Sequence, residues 1–395
     1  MKLGNLAHKP LPRTEPGSTG MRGAAGAILL MVGAIAVSII AVELGLRMSY
    51  RLEQHRPAAV TNQPQVDSAW KFYHYDPILG WRNRPGAEGT FKIPDSVTSV
   101  AINSQGLRDR EHRFEKLGQF RLLALGDSFT WGFGVEQNER FTDKLQSLVG
   151  DHVEVINAGV TGWGTDQELL YWTHEGYQYH PDLVLVAFGT EDIVNNTHSV
   201  QYGYPKPYFR LRENQLVLLN TPVPQKTADW EKRFELPQEL QSKEVGSDKS
   251  GAGLGTFLQT HVLSHSWLWA RGTDFLRDRE MANNGVDRLT GALLVELQQR
   301  VQSQGAQLVV VLVPYKGHTR PDASARNLRQ WEAIVKFLHS HSLEFVDLRP
   351  AFVKESTDGK QLYFTIDDHW NPAGHELAAK VIYEHLTEKH LVPAR

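Results

Sequence analysis

Three side chains in this sequence have the chemistry of an activated nucleophile between them: Ser128, Asp367 and His369. A serine hydroxyl attacks poorly alone. It becomes effective when a neutral imidazole takes its proton and a carboxylate holds that imidazole in place. Ser128 follows the apolar run Leu122–Leu125 and the dipeptide Gly126-Asp127, and precedes Phe129-Thr130-Trp131-Gly132. That order reads as a buried strand entering a tight turn and then a helix, which would expose the hydroxyl at the sheet edge beside backbone N–H groups. The commonplace role of such a serine is to cap the helix. Asp367 stands two residues before His369, on a loop leading into Asn371-Pro372, so its carboxylate can reach the imidazole and fix its tautomer.

Two further loops carry candidate substrate-binding groups. In the segment after Val155-Ile156, Gly159 offers a bare backbone N–H suited to an oxyanion, although an ordinary glycine turn looks the same. After the run Leu183–Phe188 come Glu191 and Asp192, which either adjoin the site or cap the next helix. His375 reads as structural, and its spacing from His369 does not match the helical zinc motif, whose Glu is also missing. The glycines around Ser128 lack the Gly-Lys-Ser/Thr ending of a phosphate loop and the dinucleotide pattern. No metal and no organic cofactor is expected.

The elements that must position these groups begin at about Gln119. Strand candidates at Leu122–Leu125, Val153–Ile156, Leu183–Phe188, Leu308–Val313 and Phe345–Val346 alternate with helical segments. Continuous apolar runs suit a parallel sheet covered on both faces, so the plan is a doubly wound α/β domain. Phe141, Leu145 and Leu148 keep helical spacing. The last helix has Asn371 as N-cap and Pro372 at its first position, with Leu377, Val381, Ile382 and Leu386 on one side. An insert at about 200–285 separates the third and fourth strands. It contains a hairpin over Tyr208–Leu219 turning near Glu213-Asn214, a polar stretch at 225–249, and a helix candidate around Trp267-Leu268-Trp269. It would sit above the carboxyl ends of the strands, where it either shapes the substrate site or only elaborates the packing. Residues 69–118 read as a small β-rich appendage, with strands at Phe91–Ile93 and Val97–Ile102.

Composition bounds the function. The chain has 395 residues, 41% hydrophobic and 22% charged, with net charge −3, which provides no field for nucleic acid. Cysteine is absent, which excludes disulfides, thiolate metal sites and cysteine nucleophiles. Gly23–Val42 is uncharged and mostly apolar, about the 20 residues a bilayer span needs. A cleaved signal peptide would have a shorter apolar region and a small-residue cleavage site. The expectation is a cytoplasmic tail at 1–22, one transmembrane anchor at 23–46 and a tether at 47–68. Lys2, Lys9, Arg13 and Arg22 before the span slightly outnumber Arg47, Arg51 and Arg56 after it. The large domain is therefore expected to face the periplasm from the inner membrane.

Four segments together resemble the SGNH, or GDSL, hydrolase superfamily: Gly126-Asp127-Ser128-Phe129, Asn157-Ala158-Gly159, Gly189-Thr190-Glu191-Asp192 and Asp367-Asp368-His369. They fall in the family's order, from about Gln119 to the C-terminus apart from the insert. The resemblance implies a flavodoxin-like three-layer α/β/α domain with a five-stranded parallel sheet, and a Ser-His-Asp unit acting on acyl esters. Carried over, Ser128 is nucleophile, His369 base and Asp367 its partner, with the N–H groups of Ser128 and Gly159 as oxyanion donors. Two departures stand out. Glu191 replaces the family's asparagine, whose amide completes the oxyanion hole; losing such a donor costs about 10²–10³ in rate. Asn195 and Asn196 lie nearby. The Asp-x-His spacing, followed by Trp370-Asn371-Pro372, is similar to a membrane-anchored branch that includes relatives of the alginate O-acetyltransferases. The resemblance thus implies an extracytoplasmic serine hydrolase removing O-acetyl groups from a glycan through an acyl-serine intermediate. One alternative is an O-acetyltransferase that passes the acyl group to a sugar hydroxyl of an exopolysaccharide or envelope glycan. Another, supported by Glu191, is a non-catalytic glycan-binding or scaffold subunit.

Overall fold

The computed structural model describes residues 70–225, 286–320 and 323–394. The expected anchor at 23–46, the tether, and the part of the insert at 226–285 lie outside them. Among the described residues, no helix is long and apolar enough to cross a membrane.

Two antiparallel hairpins come first: β1 (Tyr73–Asp76) with β2 (Gly80–Asn83), and β3 (Glu88–Ile93) with β4 (Ser96–Ala101). The α/β succession then runs β5 (Phe120–Leu125), α1 (Ser128–Trp131), α2 (Phe141–Val149), β6 (Val153–Asn157), α3 (Thr165–His174), β7 (Leu183–Phe188) and α4 (Thr190–Asn195). Two small hairpins follow, β8 (Val200–Gln201) with β9 (Tyr204–Pro205), and β10 (Tyr208–Arg212) with β11 (Gln215–Leu219). The second turns at Glu213-Asn214, both at positive φ (47° and 64°), as a two-residue hairpin turn of this twist requires. The chain resumes with α5 (Arg288–Ser303), β12 (Gln307–Leu312), α6 (Lys316–Thr319), α7 (Ala325–Ser340), β13 (Glu344–Asp347), α8 (Arg349–Thr357) and α9 (Pro372–Glu388).

The five long-range strands form one parallel sheet in the order β13-β12-β7-β5-β6. Side chains alternate across it. Leu122, Ala124, Leu183, Leu185, Val309 and Val311 pack with α2 and α9 through Leu145, Val149, Ala378, Ile382 and Leu386. Leu123, Leu125, Val184, Val186 and Val310 pack on the other side with Leu169 of α3, Leu293 and Leu297 of α5, and Ile334 and Leu338 of α7. Helices on both faces make three layers, which is why β7 is apolar throughout and most of β5 and β12 is apolar. Phe72, just before β1, and Trp81, Phe91 and Val100 of the first two hairpins belong to the second of these cores.

Helix α9 starts as its sequence indicates: Asn371 Oδ1 accepts the Gly374 N–H at 3.0 Å, and Pro372 occupies the first position. Its buried stripe is Ala378, Ala379, Ile382 and Leu386, while Leu377 and Val381 are half-buried at its border. Small alanines let the helix lie close on the sheet.

β5 has β6 on one side and β7 on the other, so the chain leaves β5 in one direction and returns to its opposite edge. The carboxyl ends at such a switch point leave a crevice between diverging connections. Ser128 stands three residues past the end of β5.

Candidate active site

The turn into Ser128 depends on Gly126. Its φ is +153°, and a Cβ there would lie 2.1 Å from Thr130 Oγ1. Asp127 caps α1 by accepting the Phe129 N–H at 2.9 Å. Ser128 is thereby the first helical residue, and its hydroxyl meets His369 Nε2 at 2.7 Å. His369 Nδ1 lies 2.5 Å from Asp367 Oδ1, and the His369 backbone N–H reaches the same oxygen at 2.8 Å. A carboxylate only accepts, so Nδ1 carries the proton and Nε2 is left to accept from the Ser128 hydroxyl. Both distances suit proton transfer. The structure thus brings Ser128, Asp367 and His369 into one hydrogen-bonded line across a separation of 241 residues. Burial pushes the Asp367 carboxyl up, but the His369 hydrogen bond and charge, with Lys316, outweigh it and hold it below its ordinary value. It is therefore ionised at neutral pH.

The imidazole is held by rings. Phe133 stacks on it with centroids 4.4 Å apart and planes 25° apart, and Phe129 lies 4.8 Å away at 36°. The loop bearing Asp367 is held from the β3–β4 hairpin. Asp95 accepts backbone N–H groups from Thr365, Ile366 and Asp367 at 2.9–3.1 Å. The next residue, Ser96, donates its hydroxyl to Gly134 O at 2.6 Å, tying the same hairpin to the segment after α1. Arg108, buried, donates to Trp131 O, Gly132 O and Val135 O and lies over the Trp131 ring at 4.4 Å. Burial, with Arg140 adding to it, lowers its guanidinium to about 9. Asp95, Phe133 and Arg108 escape a reading of the sequence. Their neighbours show no motif, and an Asp-Ser turn predicts a hairpin, not a grip on a loop some 270 residues downstream.

The oxyanion side corrects several expectations. The Gly159 N–H donates to Asn157 Oδ1 at 3.0 Å, so it is spent within its own loop. The glycine is needed there for packing: a Cβ would lie 2.4 Å from Trp131 N. Asn157 Nδ2 in turn ties Thr130 O (2.6 Å) and Thr142 Oγ1 (2.8 Å). Asp192 is 2% exposed and accepts the Gly189 N–H at 2.7 Å, which makes it the cap of α4 rather than a group facing substrate. Asn195 and Asn196 are also buried; Asn196 bonds the Asp166 N–H and the Thr290 hydroxyl. His375 accepts the Phe141 N–H at 3.2 Å, and burial lowers it to about 3, so it is a neutral structural group.

Two donors lie in the same region. Gly162 (φ +80°) follows Val160, whose N–H bonds Gly126 O at 3.0 Å, and its own N–H has no protein partner among the described residues. The Tyr315 hydroxyl end lies against Gly189, and its ring meets Phe129 edge-on at 5.2 Å. Burial raises the phenol well above its ordinary value, with Asp127, Glu191 and Asp192 pushing the same way, so it is a neutral donor. Glu191 is exposed at the start of α4. Burial of its carboxyl end raises it, against the pull of His369 and with the push of Asp368. Burial also lifts Asp127 to about 6, where Phe129 and His369 oppose the rise and Glu191 adds to it. Behind them, Asp166 is paired with the fully buried Lys206 at 2.8 Å. Among the described residues, neither oxygen of buried Glu168 has a hydrogen-bond partner, nor has Asp192 Oδ1. Among the described residues, no cluster of three or more His, Asp or Glu is arranged to hold a metal ion.

Residues 124–249 match the GDSL-like lipase/acylhydrolase family, and residues 264–395 match the SGNH hydrolase-like domain of the acetyltransferase AlgX. The two matches together support an SGNH hydrolase-like family related to AlgX and AlgJ. Within it, the probable alginate O-acetylase AlgJ of Pseudomonas fluorescens is 31% identical over 107 residues, 25% of this chain and 26% of that protein. This chain therefore spans about a quarter of that relative's length. Among solved structures, the acetylxylan esterase Axe2 of Geobacillus stearothermophilus (a catalytic mutant) is similar at 14% identity and a TM-score of 0.39, covering 71% of this chain and 100% of that one. A putative G-D-S-L lipolytic protein of Desulfitobacterium hafniense is similar at 11% identity and a TM-score of 0.36, over 68% and 100%.

Proposed function

We propose that this chain is a serine acyl-ester hydrolase that removes O-acetyl groups from a glycan. The observation that carries the reading is the Ser128–His369–Asp367 line at 2.7 and 2.5 Å. Ser128 Oγ attacks the ester carbonyl while His369 Nε2 takes its proton. Asp367 holds the Nδ1 proton and stabilises the imidazolium. The N–H groups of Ser128 and Gly162 receive the carbonyl oxygen as it gains charge. The imidazolium then returns the proton to the departing sugar oxygen, leaving an acetyl-serine. Water, deprotonated by the same imidazole, then attacks that ester, and the imidazolium returns the proton to Ser128 Oγ as acetate leaves.

A second reading has a specific support: one matching family description names an acetyltransferase, and the curated relative is a probable O-acetylase. In that reading a sugar hydroxyl replaces water in the last step, and the residues act identically. The uncharged apolar run at 23–42 supports placing the domain outside the inner membrane, with 23–46 as anchor. Release of the full-length protein by a detergent-free wash would overturn that placement.

The test is acetate release from an aryl acetate and from an acetylated oligosaccharide by the full chain in detergent, beside Ser128→Ala. Loss of at least about a thousandfold in the variant is the expected result. Turnover that survives in Ser128→Ala refutes the serine mechanism. Acetate release that requires an added acceptor glycan selects the transferase.

A further inference from the structure

Tyr202 is 60% exposed, although its ring also packs against Gly162 of its own chain. It occupies the first central position of the β8–β9 turn with φ 50°, followed by Gly203 at 71°. Gly, Asn or Asp normally fill that left-handed position, and a bulky residue there is an outlier of the kind that gathers at ligand sites. The turn is firmly built. Lys206, just past β9, is fully buried, with its ammonium 2.8 Å from Asp166 and donating to Asn195 O at 3.0 Å. Its backbone N–H returns to Ser199 O at 2.9 Å, closing the hairpin.

What the hairpin presents is the Tyr202 ring, laid against Gly162. A Cβ on Gly162 would lie 2.4 Å from Tyr202 Cε2. Gly162 belongs to the loop that is bonded to Gly126 two residues before Ser128. Burial of the phenol end raises it to about 12, with the charges of Asp127, next to Ser128, and Glu191 pushing the same way. One side of the ring is thus packed on the loop that is bonded to the turn into Ser128, while much of the side chain is open to solvent. Open aromatic faces of this kind bind the C–H face of a pyranose. The exposed acid at the opening is Glu191, whereas Asp368 is paired with the Lys316 ammonium at 3.7 Å, which also donates to Phe364 O and Thr365 O.

We propose that Tyr202 is the stacking platform of a sugar subsite next to Ser128, and that Glu191 makes it a subsite for uncharged rather than uronate sugars. The proposal deepens the glycan reading given above and rests on it. The strained turn and buried Lys206 hold the ring in place before the sugar arrives, so little freedom is lost on binding.

The test is calorimetric binding to the full chain carrying Ser128→Ala, which separates recognition from turnover. The probes are an acetylated xylo-oligosaccharide and an acetylated oligomannuronate of equal length. Tyr202→Asn is the informative variant, because Asn accepts the left-handed turn and removes only the ring; Tyr202→Trp restores one. The neutral probe is expected to bind, to weaken about tenfold in Tyr202→Asn, and to recover in Tyr202→Trp. The uronate should bind about tenfold more weakly and gain in Glu191→Gln. Equal affinity in Tyr202→Asn, no binding of the neutral probe, or a uronate bound as tightly as the neutral sugar overturns the proposal. Aryl acetate turnover by the protein with Ser128 intact reports on the serine mechanism separately, so either idea can fail alone.

Discussion

Replacing Asp95 should disable the site from a distance. Its carboxylate accepts four N–H···O contacts of 2.9–3.1 Å from three consecutive amides, Thr365, Ile366 and Asp367, immediately before the Asp367–His369 pair. Hydrogen bonds to a charged group contribute about 1.5–3 kcal/mol each when buried. These amides are largely open to water, which replaces much of what is lost. Asp95→Ala should therefore cost about 1–2 kcal/mol of stability, a fall of about 2–6 °C in Tm. The larger effect is positional. Asp367 Oδ1 must stay 2.5 Å from Nδ1, and a shift of about 1 Å in such a group costs about a hundredfold in rate. The rate of Ser128 modification by a fluorophosphonate should fall about ten- to a hundredfold in Asp95→Ala. Asp95→Asn, which keeps one acceptor oxygen, should fall between. A labelling rate within twofold of the parent, despite the lowered Tm, would show that the hairpin supports the fold and not the imidazole.

Tyr315→Phe should lower kcat on an aryl acetate about ten- to a hundredfold with little change in KM, if its hydroxyl helps hold the oxyanion that Glu191 does not; unchanged kcat removes it from the site. His375 is protonated near pH 6.5 when unfolded but only at about 3 when folded. The unfolded chain therefore binds more protons between these values, and the stability due to neutral His375 is full above pH 6.5 and lost as pH falls toward 3. Urea unfolding should show a shallower acid decline in His375→Leu, at the cost of an unpaired Phe141 N–H; parallel declines would contradict this. Glu168 has the opposite sign. Burial, with Asp192, Asp127 and Asp166, raises it well above 4.5. Its contribution is present below 4.5 and lost as pH rises through the folded value. Glu168→Gln should thus be more stable than the parent at pH 8 but not at pH 4, and a gain that is the same at both values would refute the protonation argument.

Much of the fold could be read from local pattern. Several of the five strands, β7 and β12 above all, are continuous apolar runs because both faces of the sheet are covered, which leaves little polar alternation to obscure them. The start of α9 was legible because an N-cap and a first-turn proline are one-residue signals. The β10–β11 turn at Glu213-Asn214 showed itself as a polar break between apolar runs. Ser128 and the Asp367–His369 pair were legible for a related reason: each sits in a short segment whose residue types only make sense together.

The rest was decided by tertiary structure. No local property of Gly159 says that its N–H turns to Asn157, since that depends on how β6 enters its loop beside α1. Asp192 looks like a site acid until the depth of α4 buries it on Gly189. Asp95, Phe133 and Tyr202 carry no motif because what they touch lies on other elements. The sequence alone determined which residues could do chemistry and which strand ends could carry them, because those choices are written in residue type and short spacing. Only the packed structure decided which N–H groups and carboxylates remain free to act. A hydrogen bond has a direction and is used once, and its use depends on neighbours far away along the chain.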